Sequence, residues 1–345
     1  MDRAIEEFRA TGKKATLKDI ANITGLSLSA VSQALNPSSK TTIGLSEVSI
    51  KKARQVAKKM NYRTHWGAVS IRSNFMYNLA FLKVEGKGEK AIHSPFLPSF
   101  TKTAGLKNFA VTMLSIDEDT KNLPSLFKNN RLDGIVVDAS ISLPTSLEAE
   151  LNSSNIPRIT INKKLEQNAI YVDEVHSASD ITNYLIERQH KRILFLKPPE
   201  KDDNHYSIAD REKGYLKAMK EAGLTTEVVE VESSLDYNQR LDCSFLDFDN
   251  LPDAILAYDD NLANTIAKVF YRKNIRIPHQ ISLAGFNGNI GALSAWCPLS
   301  TMLMPHNEMG KIAFEMLFKL IEKDNKESQK AISLKSKLII GESNK

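Results

Sequence analysis

Cysteine is scarce in this chain: Cys243 and Cys297 are the only two among 345 residues, far apart and in no paired metal-binding or redox pattern. A disulfide scaffold and a zinc framework are excluded on that ground, and a reducing, cytoplasmic setting is expected. Long apolar runs are missing too, since none approaches the about 18 to 20 residues needed to cross a bilayer. Residues 1–15 alternate charges where an export signal would carry an apolar stretch. Neither secretion nor membrane insertion is therefore expected. Enzyme signatures are equally thin, with no P-loop, no nucleophile elbow, no zinc-protease helix, and seven scattered histidines. The nearest lure is the run holding Gly285, Gly288 and Gly291, but Asn287 and Ile290 stand where a dinucleotide-binding turn has its second and third glycines. The expectation is no catalytic residue, no metal ligand and no cofactor.

What is present is ordinary for a globular protein: 42% hydrophobic and 25% charged residues, enough for two or three domains with cores of their own. The charge, however, is unevenly placed. Residues 1–75 hold 13 Lys and Arg against 5 Asp and Glu, which leaves 33 against 36 for the rest. A basic front on a slightly acidic body suits a polyanion-binding head attached to a regulatory or catalytic body.

Within that front, Leu17, Ile20 and Ala21, then Val31, Ala34 and Leu35, recur at helical spacing on either side of Gly25. Thr16 can cap the first helix, with Asp19 three positions on, and Ser27 or Ser29 can cap the second. Ala21, Gly25 and Val31 supply the small crossing residue, the permissive turn and the buried branched residue of a helix-turn-helix. A third helix is expected from its cap Ser46 to Met60, with Val48, Ala53, Val56, Ala57 and Met60 on one face and Lys51, Lys52, Lys58 and Lys59 elsewhere.

The run from Thr16 to Asn36, with Asn61 and Tyr62 closing the third helix, resembles the lactose-repressor (LacI/GalR) family. Matches to it recur in order through the body: Ser94–Leu97, Leu132–Val137, Ile156–Ile159, Ile186–Ile193, Arg211–Tyr215, Tyr258–Ala263, Ile277–Asn287 and Pro298–Pro305. The resemblance implies that the second helix enters the major groove and that Thr16, Leu28, Ser29, Gln33 and Asn36 face operator DNA. Family members often carry Arg at the place of Gln33; Gln favours a bidentate pair with adenine instead of guanine. Residues 63–75 fall where the family has a hinge that wedges an apolar side chain into the minor groove, with Ile71 at the wedge and Ala68 one turn before it. Thr64, Trp66 and Gly67 depart from the family pattern there, as does a loop from Pro37 to Leu45 that is longer than usual.

From Asn78 onward, strand-like apolar runs alternate with helical stretches, the rhythm of parallel α/β sheets. Ligands of such sheets sit beyond the carboxyl ends of the strands. The family resemblance implies a periplasmic-binding-protein-like core of two α/β lobes joined by three crossovers, near Asp173, near Thr301 and after Ile321. The expected organisation is an extension at 1–15, a three-helix head at 16–62, a linker at 63–75 and a body at 76–345. Lobe 1 would hold about 76–174 and 302–322, and lobe 2 about 175–301 and 323–345. Carried over by position, the effector-cleft candidates are Phe96, Asn162, Lys163, His205, Ser207, Arg211, Asp259 and Asn287. Asn287 stands where sugar-binding relatives have Asp, while Lys163 and His205 would add positive charge, which points to a phosphorylated or carboxylated effector. The helix from Asn307 to Lys323 carries a core stripe from Met309 to Ile321, with Phe314 and Phe318 off it.

The function expected from all this is a homodimeric, sequence-specific repressor of transcription. A sugar or sugar-phosphate-like effector between the lobes would change their orientation and hence the fit of the paired heads to DNA. The alternatives are a DNA-binding regulator with a ligandless core and a solute receptor sharing the same body.

Overall fold

The computed structural model describes residues 1–35, 45–63, 75–85, 94–117, 119–127, 131–199, 205–231, 243–322 and 327–345. Asn36, Ala68, Ile71 and most of the loop from Pro37 to Leu45 lie outside the described residues. The chain divides into two compact units, Met1–Phe75 and Met76–Lys345.

The first unit holds helices α1 (Asp2–Ala10), α2 (Leu17–Thr24), α3 (Leu28–Ala34) and α4 (Glu47–Lys59). The segment expected to be an extension thus adds a helix of its own. Ile5 and Phe8 of α1 pack on Ile20, Ala21, Val31, Val56, Ala57 and Met60, and Lys59 bridges back to Asp2 at 2.6 Å. The local chemistry is as the sequence implies. Thr16 and Asp19 exchange hydrogen bonds in a capping box, Gly25 ends α2 at φ +71°, and the Ser27 hydroxyl accepts from the Ala30 amide. One expectation fails on α4. Val48 is 75% exposed, because its position in the first turn precedes the stretch that packs against α2 and α3.

The second unit contains two six-stranded sheets. Its elements in chain order are β1 (Asn78–Val84), α5 (Leu97–Leu106), β2 (Ala110–Ile116), β3 (Gly134–Asp138), α6 (Thr145–Ser153), β4 (Arg158–Ile161), β5 (Ala169–Val172) and α7 (Glu174–Glu187). They continue as β6 (Ile193–Lys197), α8 (Ser207–Glu221), β7 (Glu227–Glu230), β8 (Ala254–Ala257), α9 (Asp260–Arg272), β9 (Ser282–Asn287) and α10 (Ile290–Leu293). Last come β10 (Ser300–Leu303), α11 (His306–Glu322), β11 (Ile332–Leu334) and β12 (Lys337–Ile339). The first sheet runs β11-β5-β4-β3-β1-β2 and the second β12-β10-β9-β8-β6-β7, with every pairing parallel except β10 with β12.

Side-chain alternation explains why both sheets need helices on both faces. In the second sheet Leu194, Leu196, Ile255 and Leu283 pack with Leu262, Ile266 and Phe270 of α9. Their neighbours Ile193, Phe195, Leu256 and Phe286 point the other way, onto Ile181, Leu185, Tyr215 and Met219 of α7 and α8. In α11 Phe314 is no outlier from the core: it is buried and stacks on Phe318 at 5.6 Å, because the helix is enclosed over a wider arc than one stripe.

The chain passes between the sheets at Asp173, at 304–305 and at 335–336. Two expected boundaries therefore move. β10 belongs wholly to the second sheet, so lobe 1 resumes with α11 and not at 302. β11 pairs with β5, Ile332 beside Ile170, so residues 327–334 complete lobe 1 and only the chain after the third crossing belongs to lobe 2. A strand of three residues is too short for an apolar period to reveal it.

Candidate functional site

In the head, α3 divides its residues cleanly. Val31 and Ala34 are buried, whereas Leu28, Ser29 and Gln33 are exposed on the outward side. Seven residues suffice for this because both ends are tied down: Ser27 caps the start, and the Ala34 carbonyl accepts from Arg54 Nε at 2.9 Å. Thr16 is exposed at the start of α2, with its hydroxyl donating to Asp19 Oδ2 at 2.6 Å. The outward face is a helix surface with apolar, hydroxyl and amide groups and no carboxylate.

In the body, the polar side chains gather where the strand ends of the two lobes meet. On the lobe 1 side, Asp138 closes β3 and accepts from the Ser94 hydroxyl at 2.7 Å and the Ser140 hydroxyl at 2.6 Å. Asn162, just past β4, takes the left-handed conformation at φ +63°. Its Nδ2 donates to Ser140 Oγ at 3.1 Å, and its Oδ1 is buried with no protein partner. A buried acceptor left in that state is costly unless a donor arrives. Phe96 is 2% exposed and packs edge-on to His306, as a core residue does. Lys163 is half-buried and has no ion-pair partner among the described residues.

On the lobe 2 side, Arg211 is the centre. Its guanidinium is fully enclosed and makes four hydrogen bonds: two to Glu174 at 2.8 and 2.7 Å, one to the Tyr258 carbonyl at 2.6 Å and one to Asn287 Oδ1 at 3.0 Å. The rings of Phe286 and Tyr258 cover it at 4.5 and 4.9 Å. Asn287 itself adopts φ +99° at the end of β9. Asp259 is spent differently from a ligand contact, since its Oδ1 accepts from the Leu262 amide and caps α9, and burial pushes its carboxyl above the usual value. Its neighbour Asp260 is wholly buried between the Asn289 amide and the Thr301 hydroxyl, and burial raises its carboxyl to about 6.

His205 links the lobes. Its Nε2 meets the Asn162 carbonyl at 2.7 Å and must donate there, because a carbonyl only accepts. Burial pushes the imidazole below its ordinary value, so the ring is neutral and Nδ1 accepts from Ser207 Oγ at 2.8 Å. The Tyr258 hydroxyl then donates to Ser207 Oγ at 2.6 Å. Two further contacts cross beside it: Tyr206 Oη with the Val172 backbone, and Lys164 with Asp210 at 2.8 Å. The positive charge expected of His205 is thus absent, and that of Arg211 is matched by Glu174.

The structure brings together Asn162, His205, Ser207, Arg211 and Asn287, and uses Phe96 and Asp259 for packing and capping. Sequence reasoning missed Glu174, Tyr258 and Asp138. A signal existed for the first, since a buried Arg requires a carboxylate partner and Glu174 follows the first crossing directly. Tyr258 contributes its backbone oxygen and hydroxyl, roles that no residue type announces.

Residues 182–344 match the model of the periplasmic binding protein-like domain. Along the whole chain, the HTH-type transcriptional regulator RegA of Clostridium saccharobutylicum is 25% identical, covering 89% of this chain and 93% of that protein. The HTH-type transcriptional regulator DegA of Bacillus subtilis is 26% identical, covering 86% and 88%. Among solved structures, the lac repressor dimer bound to operator and the anti-inducer ONPF superposes with a TM-score of 0.76 at 17% identity, covering 96% of this chain and 99% of that one, which speaks for the fold. A helix-turn-helix head, two largely parallel sheets and these ordered likenesses make the chain similar along most of its length to HTH-type transcriptional regulators, with the fold of the lac repressor.

Proposed function

We propose that this protein is a homodimeric repressor of transcription that reads operator DNA with α3 and responds to a small molecule held between the lobes of its body. The observation that carries the reading is the outward face of α3, where Leu28, Ser29 and Gln33 project from a helix whose other side is locked into the head core. An exposed face of that kind, on a capped helix-turn-helix in a basic unit, suits entry into a major groove. Thr16 joins it as a backbone-positioning contact, while Asn36, Ala68 and Ile71 complete the expected DNA-facing set from outside the described residues. A wedging role for Ile71 remains part of the proposal.

For the effector, the chemistry of the cleft favours an uncharged, hydroxyl-bearing molecule of the sugar class over a phosphorylated one. Arg211 is neutralised by Glu174 and His205 carries no charge, so an anion would find Lys163 as its one uncompensated cation among the candidates. The orphaned Asn162 Oδ1 invites a hydroxyl donor. Ligand contacts that hold in one lobe arrangement and not the other would shift the population of arrangements, which is all that allostery requires. Regulation, not catalysis, is the assigned role.

Selection of duplexes from a random pool by the purified chain tests the first half. A preferred site is expected, and Gln33→Ala should relax preference at one or two base pairs, by about 1 to 3 kcal/mol each. Retention of the full preference in that variant would remove α3 as the reading helix. Thermal stabilisation by neutral sugars and not by sugar phosphates is expected for the second half, and the reverse pattern would overturn the choice of ligand class.

A further inference from the structure

Along α4 lie five cations, Lys51, Lys52, Arg54, Lys58 and Lys59, which a charge count would assign to DNA phosphates. Three of them have partners within the head: Lys59 bridges to Asp2, and Lys52 and Arg54 are turned to helix ends. Lys52 Nζ donates to the Thr24 carbonyl at 2.8 Å, at the end of α2, and Arg54 Nε donates to the Ala34 carbonyl at 2.9 Å, at the end of α3. We propose that Arg54, with Lys52 as its counterpart on α2, is a positioning residue that fixes the reading helix by gripping its carboxyl end.

The physical need is plain. A helix leaves its last carbonyls without intrahelical partners, and its carboxyl end carries partial negative charge that a cation satisfies. α2 and α3 have only 8 and 7 residues, so neither has the length to hold itself and each depends on tertiary contacts. The carbonyl gripped by Arg54 belongs to the residue directly after Gln33, so any tilt of the last turn displaces the amide that would meet a base edge. α4 reaches both helix ends from one element and thereby sets α2 and α3 relative to each other, which a phosphate contact would not do.

The inference rests on the proposed reading of α3, and its test carries one readout that needs no DNA. Operator binding by the full chain is measured over a range of salt for the wild type, Arg54→Ala, Arg54→Lys and the exposed control Lys58→Ala, on the selected site and its single-pair variants. Arg54→Ala should lose about two- to fivefold in affinity, the scale of one cation at a helix end. It should also lose part of the preference at the pair read by Gln33 while keeping the wild-type salt slope. Lys58→Ala should keep the preference and lower the slope by about 0.9 if it meets a phosphate. Arg54→Lys should restore preference, as an ammonium already does this work at Thr24. In parallel, amide exchange over residues 28–35 should accelerate in Arg54→Ala and return in Arg54→Lys. A lowered slope with intact preference would make Arg54 a phosphate contact and overturn the proposal, as would unchanged exchange over α3. A wild-type chain indifferent to every duplex would remove the proposed function, and exchange would still decide whether Arg54 holds the helix.

Discussion

Removing Glu174 is the sharpest perturbation the body offers. The Glu174 and Arg211 side chains are 2% and 3% exposed and joined by two hydrogen bonds, so Glu174→Ala strands a guanidinium where water cannot reach it. Breaking a buried pair from one side costs about 3 to 5 kcal/mol, most of it the burial of an unmatched charge. Arg211→Met should cost about the same for the mirror reason, stranding the carboxylate. It also leaves the Tyr258 carbonyl without the donor it has at 2.6 Å. The double variant carries no unmatched charge and should cost only about 1 to 3 kcal/mol, the penalty of that carbonyl. Urea unfolding of the three variants, followed by far-ultraviolet circular dichroism, would therefore give a coupling of several kcal/mol. Costs that add to within about 0.5 kcal/mol would show the two groups to be energetically independent and refute the matching of the Arg211 charge by Glu174.

Asp260 should impose a pH dependence on stability. Its carboxyl is raised from 3.8 to about 6 in the folded chain, so between those values the native state keeps a proton that the unfolded state has released. Stability is therefore unaffected by this group below the lower value and falls as pH rises to about 6, by up to about 3 kcal/mol. Asp260→Asn should flatten the unfolding curve across that window, and an unchanged curve would contradict the burial assigned to the group. Trp296 and Tyr271, with rings 6.0 Å apart, form an exposed aromatic pair on lobe 2 that would suit contact with a second copy of the chain. Trp296→Glu should yield monomers in sedimentation at micromolar concentration and weaken operator binding; dimers as stable as the wild type would move the contact elsewhere.

Much of the head was legible in advance because its signals are local. A cap at Thr16, a left-handed turn at Gly25 and a helical period through Val31 and Ala34 are each set by a few adjacent residues, and the structure places them accordingly. The strand-like apolar runs of the body likewise fall on strands, and the interior ones β1, β3, β6 and β8 are apolar along most of their length because they are buried on both faces. α1 escaped notice because only Ile5 and the half-buried Phe8 face the core, and two apolar residues make no period.

The class of fold, the basic head and the polar residues that end the strands follow from short segments of sequence. What those polar residues do depends on contacts made across the folded chain. The tertiary structure matched Arg211 with Glu174 from 37 positions away, made His205 neutral by enclosing it against the Asn162 carbonyl, and turned Arg54 from a surface charge into a grip on α3. Charge state and hydrogen-bond partnership depend on burial and on distances of a few ångströms between remote segments, and those are fixed only when the chain has folded.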